Sequence, residues 1–370
     1  MSSSTPVSGS ATTSASTSVS LLRAVDLVLN PAVRVLWRGA GCIQLELGSR
    51  SVVVDGVDAT TVAALLRRPD RPGAAVHAGQ GLDLGAFAPG ALDALLQGGY
   101  LWPAARDAAP LPPPPSARLA ADQTALASRH GRVAAALVVA RMHRLVAITG
   151  RSRVATLVAS LLAASGVGHL YFADSGEVSL PQSMPGGLTP DTEGHRFAAA
   201  ASDAVRNCAP EVETTPPPLG TVPDLTVLAV DEPVDSDLRD ALHARGCAHL
   251  AVRLDAAGGR VGPLVIPGRT SCLRCADLHR LDRDPAWDAL AVQLAVPPRH
   301  GAASDVAVAA VIGGVAAVHA LAFLDGQPTA TAGGTLEMHL PDWRLRRRTW
   351  RPHPGCRCGA LSGGVGKMVG

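Results

Sequence analysis

Seven cysteines stand in this chain of 370 residues, and four of them fall into two tight pairs. Cys272-Leu273-Arg274-Cys275 is a C-x2-C knuckle, and Cys356-Arg357-Cys358 is a C-x-C pair in a Pro/Gly-rich C-terminal stretch. Two thiolate pairs carried on turns suit a tetrahedral zinc ion, and four sulfurs leave no coordination position for water or substrate. The expected metal is therefore zinc, held by Cys272, Cys275, Cys356 and Cys358 in a structural role. His279 and His353 lie nearby but are superfluous once four sulfurs are counted. Cys42, Cys208 and Cys247 read as ordinary core residues; Cys247 has only His243 and His249 as neighbours of an activating kind. So few cysteines in so long a chain do not make a disulfide scaffold, and the pattern predicts a reducing, cytoplasmic setting.

Other chemistries find little support. No Walker A, H-E-x-x-H or G-x-S-x-G segment is present, and the histidines are scattered. A net charge of +2 with a pI near 8.3 lacks the basic footprint of a nucleic-acid binder. The one basic run, 344–348, reads as a solvated strand edge. Residues 1–20 are Ser/Thr-rich without the basic and apolar regions of a secretory signal, so a disordered tail and no export are expected. Residues 306–324 are apolar apart from His319 and long enough for a bilayer. Ala and Gly dominate them and Asp305 and Asp325 bound them, which predicts a buried helix packed through small residues and no membrane span.

The elements that must position the cysteines read as an α/β chain in two folded parts. Apolar alternation over 33–37, 42–47 and 51–55, with Gly39, Gly41 and Gly48 between, predicts short strands. Helical spacing follows at 60–67 and 91–96, and strands with two helices fit a winged-helix-like module over 25–103, after a tail at 1–24. Repeated proline makes 104–118 a linker without regular structure. Then 145–150 reads as a buried parallel strand ending at Gly150, 154–165 as a helix, and 166–174 as a turn and second strand. A strand at 225–230, a helix at 236–245 and a strand at 249–254 continue the alternation, predicting a doubly wound Rossmann-like domain over 119–345 and a zinc-binding tail over 346–370. Aromatics at 3% and abundant Ala, Gly and Pro predict a core of Val, Leu and Ala and resemble the bias of a high-GC bacterial genome.

A βαβ opening, Asp174 ending the second strand, Asp231 ending a later one, and C-x2-C followed far downstream by a second Cys pair resemble the ThiF/MoeB adenylyltransferases that activate ubiquitin-like carriers. More narrowly, 262–275 with Asp277-Leu278-His279-Arg280 and Asp282-Arg283-Asp284-Pro285 is similar to the actinobacterial ThiF-like proteins grouped with leader-peptide-binding partners of azoline cyclodehydratases, which make thiazole/oxazole-modified peptides. The resemblance implies a nucleotide site at Gly150, Asp174 (ribose) and Asp231 (magnesium), ATP and Mg as cofactors, a leader or carrier peptide and a separate modifying enzyme as partners, and a homodimer near 306–324.

The departures count against ATP. The family uses a G-x-G-G-x-G turn so that bare backbone can reach the phosphates; here it reads Gly150-Arg151-Ser152-Arg153-Val154-Ala155, with only the first glycine. Neither the family's Asn and Arg finger in 179–183 nor its Lys in 193–197 is present. The expectation is a catalytically degenerate ThiF-like protein whose front module binds a leader or carrier peptide, with Gly150, Asp174 and Asp231 as a vestigial site and no catalytic residue. The alternative is an active adenylyltransferase charging a carrier or peptide C-terminus with AMP.

Overall fold

A computed structural model describes residues 27–39, 41–57, 90–103, 115–296 and 304–360, and it divides into two compact units, Met1–Val139 and Ala140–Gly370. The helix expected at 60–67 lies outside the described residues.

In the first unit, β1 (Leu27–Leu29) pairs antiparallel with β5 (Leu101–Pro103), while β2 (Arg34–Gly39), β3 (Cys42–Leu47) and β4 (Arg50–Asp55) form a three-stranded antiparallel sheet in that order. Period-2 patterning places Ile43, Leu45 and Leu47 of β3 on one buried face, against Val54 and the Leu92 and Leu95 face of α1 (Ala91–Gln97). Asn30 is buried and fully used: its amide donates to the Gly99 and Ala127 carbonyls, and its Oδ1 accepts from the Ala32 N–H. The expectation that no regular element forms across 103–118 fails at its end, where Pro115–Arg118 make a short helix, α2. Proline is tolerated in a helix's first turn, where its missing N–H has no partner to lose. Helices α3 (Ala120–His130) and α4 (Ala134–Met142) follow.

The second unit is built on a seven-stranded sheet in the order β12-β11-β10-β9-β8-β6-β7. Its parallel half is β6 (Leu145–Thr149), β7 (His169–Phe172), β8 (Leu225–Ala229) and β9 (His249–Asp255). These are the strands whose apolar runs alternate with helices α5 (Val154–Ala164), α6 (Phe197–Cys208) and α7 (Ser236–Ala244). The other half is antiparallel: β10 (Gly258–Val265), β11 (Gly334–His339) and β12 (Leu345–Thr349). Of these only the basic run of β12 is expected from the sequence; the β9–β10 turn is Ala256-Ala257, without the Asn or Gly that marks a two-residue hairpin. The basic run lies on β12, exposed throughout at the sheet edge, as its composition predicts.

Helix α5 is buried almost all round, packed against the sheet, α6 and α10 (Val306–Leu324). A Cβ at Gly313 of α10 would come within 2.7 Å of Leu157 Cδ2, so glycine there lets the two helices close. As expected, α10 packs through small residues, among them Ala309, Gly313, Ala316 and Ala320, but only one of its faces is buried: Val311 and Val318 stand 47% and 61% exposed. Among the described residues α10 is the one helix long and apolar enough to cross a membrane. Helices α8 (Leu273–Leu281) and α9 (Trp287–Leu294) complete the unit.

Candidate functional site

The C-x2-C knuckle sits where β10 leaves the sheet: Cys272 is the N-cap of α8, and Cys275 lies in its first turn. The second pair arrives from β12 through Trp350, whose carbonyl accepts a hydrogen bond from Ser271 Oγ at 2.6 Å. Sγ separations are 3.7 Å for Cys272–Cys275, 3.6 Å for Cys272–Cys356 and 3.6 Å for Cys275–Cys358, and all four sulfurs lie within 4.8 Å of one another. A tetrahedral ion bound to sulfur at about 2.3 Å requires sulfurs about 3.8 Å apart, which these three separations match, so the cluster could hold one metal ion. Cys272, Cys275 and Cys358 are buried in an apolar shell with Val265 and Ala360. The hydrogen bond from Cys272 holds the Cys275 sulfur down to about 4 and raises Cys272 itself, while burial pushes Cys356 up to about 11. Without a cation, then, the four sulfurs do not all ionise together; the donor set suits a thiophilic divalent ion.

His279 and His353 are not ligands of this cluster but hold the strand that delivers it. His353 Nδ1 accepts from the Gly355 N–H at 3.0 Å, so Nε2 carries the proton and donates to Asp282 at 2.9 Å. His279 Nε2 meets the Arg351 carbonyl at 2.9 Å, and the Arg280 guanidinium lies 5.0 Å from the Trp350 ring centre. Of the cysteines expected in the core only Cys247 is buried there. Cys42 and Cys208 are half-buried, the first at the end of β3 opposite Asp55, the second at the last turn of α6.

At the other candidate site, Gly150 has φ 99°, and a Cβ there would run into the Ala229 carbonyl, which demands glycine. Asp174, half-buried beyond the end of β7, accepts the Gly150 N–H. Asp231, just beyond β8, accepts from Ser152 Oγ at 2.8 Å and from the Leu254 N–H at 3.1 Å. Arg153 donates to the Pro181 carbonyl at 2.6 Å and the Ser304 carbonyl at 2.8 Å. Gln182 donates to the Arg151 carbonyl at 2.6 Å. The structure thus brings Gly150, Asp174 and Asp231 together around one strand-to-helix turn, with each carboxylate bonded to its own chain.

The sequence matches the ThiF family over residues 140–358. This chain belongs to the ThiF family. Its fold is similar to that of E. coli MccB solved with ATP, at a TM-score of 0.65 and 14% identity, covering 90% of this chain and 99% of that one. The microcin C7 biosynthetic enzyme MccB in complex with N-formylated MccA matches at 0.64 and 14%, with coverage of 90% and 99%. PaaA matches at 0.56 and 16%, covering 70% of this chain and 90% of that one. At these identities the likeness is one of fold. No curated protein matches in sequence.

Within this ThiF unit two contributors escaped the sequence reading. Ser152 counted only as a side chain in the phosphate volume, whereas it is the hydrogen-bond partner of Asp231. Gln182 was read for the Asn and Arg it is not; the Ser-x-x-Gln spacing from Ser179 was the available signal, and Gln182 Oε1 accepts the Ser179 N–H at 2.7 Å. Asp231 also carries a cost: burial outweighs its hydrogen bonds and raises its pKa above the ordinary carboxylate value. A raised acid penalises the folded state above that pKa and is neutral below the unfolded value near 4. Asp231→Asn, which keeps an acceptor oxygen, should therefore raise the melting temperature at pH 7. The gain should vanish as pH falls towards 4 in thermal melts across that range.

Proposed function

We propose that this chain is a catalytically degenerate ThiF-family protein. It binds a leader or carrier peptide through its N-terminal module and presents it to a separate modifying enzyme of the cyclodehydratase type, in the cytoplasm of a bacterium. The observation that carries the reading is the filled turn at Gly150. The N–H that would face a phosphate is taken by Asp174, the carboxylate that would face magnesium is taken by Ser152 and Leu254, and Arg153 is spent on two carbonyls. A helix N-terminus binds phosphate through free N–H groups and bare glycine backbone, and both are scarce here. In this reading the metal is zinc, held by Cys272, Cys275, Cys356 and Cys358; it fastens the C-terminal strand to α8 and takes no part in chemistry.

For the peptide, β2 and β4 are the edges of the three-stranded sheet, and Trp37 on β2 is 56% exposed. An added strand would pair its main chain on such an edge and offer alternate side chains to pockets. The MccB structure with N-formylated MccA supports peptide binding by a protein of this fold. A homodimer through the exposed face of α10, which carries Val311 and Val318, belongs to the same reading.

A second reading, an active adenylyltransferase, is favoured by the match to MccB solved with ATP and by Asp174 and Asp231 at their strand ends. Calorimetric titration with Mg-ATP, with Asp231→Ala as the control, separates the two. The degenerate reading expects no saturable heat up to low-millimolar ATP. Saturable binding that the variant abolishes overturns it, and pyrophosphate exchange with candidate carriers would then be measured.

A further inference from the structure

On the face of the sheet away from α10, an open cleft of about 310 Å³ is lined by residues of β9, β10, α7, α8 and α9. Arg239, Arg253, Arg260, Arg274 and Arg280 all line it. Arg253 and Arg260 stand directly opposite each other on β9 and β10, an arrangement in which like charges destabilise the sheet. Both guanidiniums are partly buried, and the Nε atom of each is buried without a hydrogen-bond partner among the described residues.

Three of these arginines, Arg239, Arg260 and Arg280, already have a close carboxylate partner. Asp255 pairs with Arg260 at 2.8 Å, and Asp277 with Arg280 at 2.9 Å. Asp235 caps α7, and Glu337, the next residue across the sheet from Arg260, meets Thr335, His339 and Arg348. Glu232 also lines the cavity, and Arg253 makes no ion pair among the described residues, though Asp255 and Asp231 act on it at longer range. Arg239 meets Asp240 at 2.9 Å and Asp277 at 3.7 Å, whereas Arg274 has only Asp288 at 3.7 Å. A pair so long at an exposed rim holds little energy and exchanges readily with an incoming anion. Beside the arginines the wall turns apolar, with Leu273, Trp287, Ala291 and Val292.

We propose that this cavity binds an acidic peptide segment, one side-chain carboxylate seated on Arg253 and Arg260 and an adjoining apolar side chain on the Trp287–Val292 wall. A planar guanidinium matches a carboxylate in two parallel hydrogen bonds, and a carboxylate on Arg253, which has no ion pair of its own among the described residues, would offset its opposition to Arg260. The acids already in the cavity favour a singly charged carboxylate over a phosphate dianion. Arg274, held only by its long pair to Asp288, offers a partner to a second acidic residue of the segment. The site is in the ThiF unit and stands whether or not nucleotide binds at the Gly150 turn and whatever the N-terminal module binds.

The test uses the full chain and the peptide acetyl-Leu-Glu-Glu-amide, followed by ligand-observed NMR and tryptophan fluorescence. Its Gln-Gln counterpart, acetyl-Leu-Leu free acid and inorganic phosphate serve as comparisons. The acidic peptide should bind saturably and the Gln-Gln peptide at least about tenfold more weakly, the discrimination expected of a charged hydrogen bond. Arg253→Gln should lose the same factor while the free protein melts no lower than the parent, since the opposition to Arg260 is gone. Val292→Glu, at a position 71% exposed in the parent, should weaken the acidic peptide by repulsion without unfolding the chain. Equal binding of the Gln-Gln peptide, or unchanged affinity in both variants, overturns the proposal. Tighter binding of phosphate or of the free acid reassigns the cavity and overturns it equally.

Discussion

Cys272→Ser should leave the purified protein without bound metal and melting roughly 10 °C below the parent, which should carry one zinc per chain by native mass spectrometry. Three of the six sulfur–sulfur separations stand at the edge length of a tetrahedral site before any ion is considered. This cluster, with the His353–Asp282, His279–Arg351 and His279–His353 contacts, secures residues 351–358 to α8. Removing one ligand leaves three sulfurs, two of them buried, facing a hydroxyl, and loss of a metal belongs to the few mechanisms that cost on the order of 4 kcal/mol or more. In a unit of this size about 1 kcal/mol moves the melting point by 2–4 °C. Cys358→Ala should behave likewise, and Cys208→Ser, outside the cluster, should keep both metal and melting temperature. Cluster variants that melt with the parent, together with a metal-free parent, would mean that the sulfurs only pack.

What the sequence revealed follows from how local each signal is. The parallel strands β6, β8 and β9 announce themselves as short apolar runs because both their faces are covered, and Cys272, Cys275, Cys356 and Cys358 carry a spacing that only metal binding explains economically. Asp174 and Asp231 were found by their place at strand ends, but their state was not legible: that each is bonded to its own chain depends on Gly150, Ser152 and Leu254, brought near by the fold. The antiparallel strands β10 to β12 left weak traces, since glycines interrupt β10 and arginines fill β12. Arg253 opposite Arg260 was invisible for the same reason, because cross-strand register is not written in either strand alone. Helix α10 misled in another way: Ala, Gly and Val on all sides erase the polarity difference between its faces, so composition says apolar where the structure has one face buried and one exposed.

The second large effect is predicted at the end of the ThiF unit opposite the nucleotide turn. Arg141 is bidentate to Asp325 at 2.8 and 2.6 Å and donates a third hydrogen bond to the Ser165 carbonyl at 3.0 Å, with both side chains almost fully buried. Arg141, within the second unit, thereby joins the C-terminal ends of α5 and α10, while Arg153, through Ser304, ties the start of α5 to the start of α10. These two helices pack through Gly313 and Leu157, so their mutual position is fixed at both ends and in the middle. Arg141→Met should destabilise the protein by about 3–5 kcal/mol, because it strands the Asp325 carboxylate away from water and from any partner. Asp325→Leu should cost a similar amount by stranding the guanidinium. The double variant should be more stable than either single one, since burying neither charge removes the desolvation penalty. Denaturant unfolding of the four proteins gives the coupling directly. Additive losses would mean that the ion pair is incidental and that the two helices are held by their apolar faces alone; a double variant that recovers stability but shifts the packing of α5 would show that the pair serves to set the angle at which the Gly150 turn meets the sheet.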